Sequence, residues 1–174
     1  AYFQLTKNVF PTAKLIIDRF HIVKHLNTAF NDFRVREMKR LITNKKKSKA
    51  NKLKSNWKLL LKNQTNISIS EFKTWRSFPS PKYHLLTESM VIDRLLSFSS
   101  ELKEAYDIFH LLMYHFRNKD DRSFFELLKN LPDSLDTQFR DKIENLISYE
   151  EGIRNALKYN FSNGKIEAKN THIK

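Results

Sequence analysis

Glycine and proline are scarce in this 174-residue chain, two and four respectively, and that scarcity constrains the fold more than any motif does. Tight turns and hairpins draw on glycine at positive φ and on proline at its fixed φ. A chain this poor in both cannot make the many turns of a barrel or sandwich, so long helices with few connections are expected. Fourteen phenylalanines supply bulk for a packed core. The length suits one domain with room for an inserted subdomain. With no cysteine, a disulfide framework and a thiolate zinc site are both excluded. No run of about 18 apolar residues and no signal-like start is present. The chain opens inside what reads as a helix under way and stops within another, which reads as a fragment of a larger, cytoplasmic protein.

The formal net charge of +13 points to a polyanionic partner, because phosphate neutralisation by Lys and Arg drives nucleic-acid affinity. Its distribution is uneven. Between Arg34 and Lys62 twelve Lys or Arg stand against a single acid, Glu37, whereas between Glu88 and Glu151 fourteen acids face eight bases. A basic arm and an acidic helical body are expected. The run Lys45, Lys46, Lys47 and Lys49 reads equally as a DNA-binding arm or as a solvated loop.

Along the chain, residues 1–9 read as the tail of a helix stopped by Pro11. Residues 13–17, Ala-Lys-Leu-Ile-Ile, form a short apolar run with two β-branched residues and predict a single buried strand, parallel if paired. A long amphipathic helix is expected over 20–42, with Val23, Leu26, Phe30, Phe33 and Leu41 at near-helical intervals. Residues 43–52 read as a loop or frayed helix, 53–62 as a helix, and 70–77 as a short helix broken by the prolines that follow. Helices are expected over 87–98, 100–118, 121–130, 134–147 and 149–159, with Ser100 opening the second of these. Ser162-Asn163-Gly164 then interrupts, and a last helix starts near Lys165.

Two acidic residues stand out, one near each end. Asp18 closes the apolar run and precedes the long helix, so it can be a rigidly held metal ligand or simply the helix N-cap. Glu167 shares a helical face with Asn170, Thr171 and Lys174, a set that suits a metal and a phosphate, or merely solvent. His21 and His25 have the i, i+4 spacing of a zinc pair but lack the glutamate of a metalloprotease helix. No Gly-rich phosphate loop and no nucleophile elbow is present. Trp57, Trp75 and the phenylalanines read as core in preference to base-stacking platforms.

The segment Phe10-Pro11-x-Ala13-Lys14-Leu15-Ile16-Ile17-Asp18-Arg19-Phe20-His21 resembles the second-aspartate motif of bacterial insertion-sequence DDE transposases of the ISL-three type. Ser162-Asn163-Gly164-x-Ile166-Glu167-x-x-Asn170-x-x-Ile173-Lys174 is similar to the same family's glutamate motif. Leu86-Thr87-Glu88 and Ser100-Glu101-Leu102-Lys103-Glu104-Ala105-Tyr106 resemble its helical middle region, so the likeness runs through the whole chain. The resemblance implies a mainly α chain: a truncated ribonuclease-H-like α/β core with one clear strand and a large all-helical insertion. The divisions it implies are 1–43 for part of the core, 44–148 for the insertion with its basic arm, and 149–174 for the closing helices.

By the same resemblance, Asp18 and Glu167 are the second and third carboxylates of a site for Mg²⁺, with Mn²⁺ as an alternative. The site would perform DNA strand cleavage and strand transfer. Arg19, His21, Asn170 and Lys174 would contact phosphate beside it, and Lys45, Lys46, Lys47 and Lys49 would contact DNA elsewhere. The family's first aspartate lies upstream of the Phe-Pro segment, so this chain is expected to be inactive alone. The implied partners are transposon-end and target DNA and further copies of the full-length protein, with no membrane, at the bacterial nucleoid. A non-catalytic helical nucleic-acid-binding module is the second reading, and a helical protein-interaction domain the third.

Overall fold

How a chain with two glycines turns its corners is visible at the helix ends. The computed structural model describes residues 14–159 together with Val9, Phe10 and Thr12. Among these, eight α-helices follow one another: α1 Arg19–Thr43, α2 Lys47–Ser55, α3 Trp57–Leu60, α4 Glu88–Leu96, α5 Ser100–Arg117, α6 Asp121–Lys129, α7 Thr137–Glu144 and α8 Glu150–Lys158. Side chains of Asp18, Thr87, Ser99, Asp120 and Asp136 accept backbone N–H groups that the first turns leave over. At the other ends, asparagine takes the place that glycine often holds nearby. Asn44, Asn56, Asn118, Asn130 and Asn145 are the C-caps of α1, α2, α5, α6 and α7. After two of these caps the chain enters the left-handed region at a lysine, Lys45 and Lys119, both at φ 58°. Such a position costs about 1–2 kcal/mol in a residue with a Cβ.

Helix α1 is the axis of the molecule. Its buried stripe of Ile22, Leu26, Ala29, Phe30, Phe33 and Leu41 packs against α2, α5, α7 and α8. Phe30 stacks on Phe109 of α5 at 4.8 Å between ring centres and meets Phe139 of α7 edge-on. Eight of the 14 phenylalanines are essentially inaccessible, so this aromatic wealth is core, as the sequence suggests. Charged pairs cross the helix contacts at their rims, including Arg36 with Asp136 and Lys142 with Asp32.

Several expectations are corrected. The run before Asp18 makes no strand over its described residues, 14–17. It lies extended on α8, where the Ile17 N–H donates to the Gly152 carbonyl (3.2 Å) and Asn155 Nδ2 donates to that of Leu15 (2.8 Å). An apolar extended segment needs backbone partners, and here a helix supplies them in place of a neighbouring strand. Residues 70–77 form no helix. They pair instead through isolated antiparallel bridges, Lys73 with Leu86 and Trp75 with Phe78. Of the loop or frayed helix expected over 43–52, residues 44–46 form the corner and α2 starts at Lys47. The helix expected over 53–62 is divided at Asn56, and the one expected over 134–147 passes into a 3₁₀ turn at Asn145–Tyr149. Ser100 opens α5 as expected, with Ser99 as its N-cap. The readings of residues 1–8 and of the segment from 160 onward lie outside the described residues.

Candidate active site

Asp18 stands where the extended segment turns into α1. Its Oδ1 accepts the Phe20 N–H at 2.8 Å and its carbonyl accepts that of His21 at 3.0 Å, so side chain and main chain are both fixed to the first helical turn. Asp18 is half-buried and sits at the positive end of a 25-residue helix. The capping role expected of this aspartate is therefore present, and it leaves a charged group held rigidly at the molecule's edge.

What holds Asp18 there is α8. The two hydrogen bonds to residues 15 and 17 are joined by a third, from Lys14 Nζ to the Tyr159 hydroxyl at 2.7 Å, with the ammonium also 4.7 Å from that ring's centre. The contact is close because residue 152 is glycine. A Cβ there would come within 2.8 Å of Ile17 Cγ1 and 3.0 Å of its Cδ1. Nothing in the sequence reading singles out Gly152, Asn155 or Tyr159. One available signal was a glycine placed inside a helical pattern, which marks a close backbone approach.

Arg19 and His21 occupy the first turn of α1, Arg19 half-buried and His21 exposed. His21 and His25 line a cleft of about 240 Å³ with Ile17, Asn145 and Tyr149. The two histidines thus share a wall, as their spacing requires, but His25 Nε2 is 2.6 Å from the Lys142 carbonyl. Its ring is committed to α7.

The lysine run lies elsewhere. Lys45, Lys46, Lys47 and Lys49 gather around the α1–α2 corner, and 26 residues of mostly helical rise separate Asp18 from it, roughly 35–40 Å. Lys45, Lys46 and Lys47 are exposed, while Lys49 lies over the Phe98 ring at 5.2 Å. The structure therefore brings Arg19 and His21 to Asp18 and sets the lysines at the opposite end of α1. Glu167, Asn170 and Lys174 lie outside the described residues. Among those described, no group of three His, Cys, Asp or Glu is placed to hold a metal ion, and no helix is long and apolar enough to cross a membrane.

These features define a helical body with an aspartate fixed at its margin, and comparison with known proteins gives them a class. A family model described as Transposase, of the DDE ISL-three type, matches residues 1–174. The chain belongs to that transposase family, whose members in general act as nucleases and transesterases on DNA. It is also similar to a Lactococcus lactis subsp. lactis protein named ATP-dependent protease, 37% identical over 92 residues. That stretch is 51% of this chain and 28% of the relative, so most of the protein bearing that name has no counterpart here. No solved structure matches the chain.

Proposed function

We propose that this chain is part of the catalytic domain of a DNA transposase, in which Asp18 and Glu167 are two of three carboxylates at the site of strand cleavage and strand transfer. The observation that carries the reading is the clasp between the two ends of the body. Lys14 and Ile17, just before Asp18, are bonded to Tyr159 and Gly152, just before the segment that carries Glu167. Glu167 is eight positions beyond Tyr159, a tether of at most about 28 Å when extended. It can therefore deliver the second carboxylate to the first.

The donor set is chemically consistent with the metal the family uses. Carboxylate oxygens suit hard Mg²⁺, with Mn²⁺ as the alternative, and Asp18 and Glu167 would hold it. Bound there, the metal would supply charge neutralisation at the phosphate and a more acidic water. The chain's own part is positional. The Phe20 N–H fixes one oxygen of Asp18, the clasp on α8 fixes the backbone leading to it, and Arg19 and His21 flank it to meet phosphate. Asn170 and Lys174 would do the same beside Glu167. The two motifs provide two carboxylates where the chemistry of the family calls for three, so the 174 residues alone are expected not to cleave DNA. The full-length enzyme would act as a homo-oligomer on transposon ends and target DNA at the bacterial nucleoid.

The divisions 1–43, 44–148 and 149–174 then separate a ribonuclease-H-like core from its helical insertion by origin. They do not separate hydrophobic cores, because α1 packs on helices from both other parts.

The substitution Asp18→Asn tests the site cleanly. Asparagine caps helices about as well as aspartate, so the full-length variant is expected to melt as wild type does. It loses the charge, so cleavage of transposon-end DNA is expected to disappear, as with Glu167→Gln. Wild-type cleavage by both variants would sink the catalytic reading and leave a non-catalytic nucleic-acid-binding module in its place.

A further inference from the structure

Most positive charge at the helix contacts is answered by a carboxylate. Arg36 pairs with Asp136, Lys62 with Glu88, Lys129 with Glu150 and Arg154 with Asp121. One face differs. Helix α2 and the loop at 75–77 bound a cleft of about 1100 Å³ whose walls carry Lys47, Lys54 and Arg76 beside Trp75. A second cleft, of about 470 Å³, joins the first through Asn56 and Trp75 and carries Lys58, with the Lys62–Glu88 pair also in its wall. Lys47, Lys54, Lys58 and Arg76 are all exposed, and among the described residues no ion pair involves any of the four.

The groove is built into the fold. Asn56, buried between α2 and α3, donates to the Lys52 carbonyl at 2.7 Å and to Ser77 Oγ at 3.0 Å. It ends one helix and moors the loop that forms the opposite wall. Trp75 is fixed in that wall by its Nε1–H, which donates to the Leu86 carbonyl at 2.9 Å.

We infer that this groove holds the sugar–phosphate backbone of duplex DNA, away from the cleavage site and without reading its sequence. Lys47 to Lys54 covers about 10 Å of helical rise along α2, the axial length of about three phosphates on one strand, and Lys58 follows on α3. Lys58 lies over Trp57 at 5.7 Å and Lys73 over Trp75 at 5.0 Å, so a cation covers one face of each ring. Cations therefore line the path. The choice of DNA among polyanions rests on the transposase reading, whereas the groove and its charge stand without it.

The test measures binding of the 174-residue chain to a short random-sequence duplex by fluorescence anisotropy at several salt concentrations. Removing three phosphate contacts in K54A/K58A/R76A is expected to weaken binding at least tenfold at low salt. The slope of log K against log salt should fall by about 2–3. K103A/R122A/K129A removes equal charge from other helices and is expected to bind nearly as wild type. Equal losses in the two variants would overturn the groove, since net charge alone would then explain binding. The charge-keeping K54R/K58R variant is expected to bind as wild type, and its failure would equally count against the proposal. Polyglutamate that displaced the duplex as well as unlabelled DNA does would point to an acidic protein and overturn the choice of DNA. None of these readings depends on cleavage, so failure here and failure of the Asp18→Asn test are told apart.

Discussion

A single buried histidine sets much of this protein's response to acid. His110 is 4% exposed, sits 4.2 Å from the Tyr106 ring centre, and donates from Nε2 to the Leu60 carbonyl at 2.9 Å. Burial lowers its pKa from 6.5 to about 4, against the raising effect of the Leu60 bond and with help from Arg117. The unfolded chain then binds a proton near pH 6.5 that the folded chain refuses until about pH 4. Between those values the unfolded state holds more protons, so stability rises with pH and falls on acidification. The loss should reach about 3 kcal/mol by pH 4, and this group should add no slope above pH 6.5. Denaturant titrations of wild type and His110→Leu across that range check it. The variant's absolute stability will differ, because it leaves the Leu60 carbonyl unpaired, but its slope should be shallower. Glu88 acts lower on the scale. Burial would raise its pKa, yet bonds from Lys62 and the Ser68 N–H hold it below 4.5. Its contribution is complete above that value and lost as pH falls beneath it.

Between elements, the contact of segment 14–17 with α8 is the one on which the candidate site depends. Gly152→Ala should improve the intrinsic helix propensity of α8 by about 1 kcal/mol while forcing a methyl into Ile17 at 2.8 Å. Overpacking of this kind costs about 1–3 kcal/mol, and Cγ1 of a β-branched side chain cannot swing aside. The expected result is a global stability nearly unchanged or lowered by about 1 kcal/mol, with hydrogen exchange of the Ile17 amide accelerated. An Ile17 amide as protected as in wild type would show that the clasp tolerates the methyl.

The same contact shows where sequence reading succeeds and where it stops. Helices such as α1, α5 and α6 are legible because an apolar stripe with a capping residue and a polar face is a local pattern. The run before Asp18 is legible as apolar, but it is half-buried where a buried strand is expected, and its partner is not legible, because the choice between strand and helix surface depends on residues more than 130 positions away. Residues 70–77 mislead for a related reason. Phe72 and Trp75 have near-helical spacing, yet the ladder bonds between Lys73 and Leu86 and the mooring at Asn56 outweigh local propensity. The motif marks Asp18 as a candidate, while the glycine and asparagine that hold it carry no such mark.

At the scale of the whole molecule, the aromatic core and the charge pattern do different work. Phe30 touches Tyr106, Phe109 and Phe139, from two other helices. Phe30→Ala should therefore cost about 3–5 kcal/mol, a large share of the 5–15 kcal/mol typical of a domain. Thermal unfolding should show a much lower midpoint, with the transition still single because one core joins all the helices. The rim ion pairs, each worth about 0–1 kcal/mol, mainly settle which surfaces carry net charge. Carboxylates cancel the bases between helices and leave them uncancelled along α2, α3 and the loop beyond.

Lys14 meeting Tyr159 has one more consequence. The two ends of the described body, at Lys14 and Tyr159, are latched to each other, like a drawer held to a cabinet at one edge. The latch also works as a single handle: a shift of α8 moves the segment leading to Asp18 with it, because Gly152 and Asn155 hold that segment's backbone.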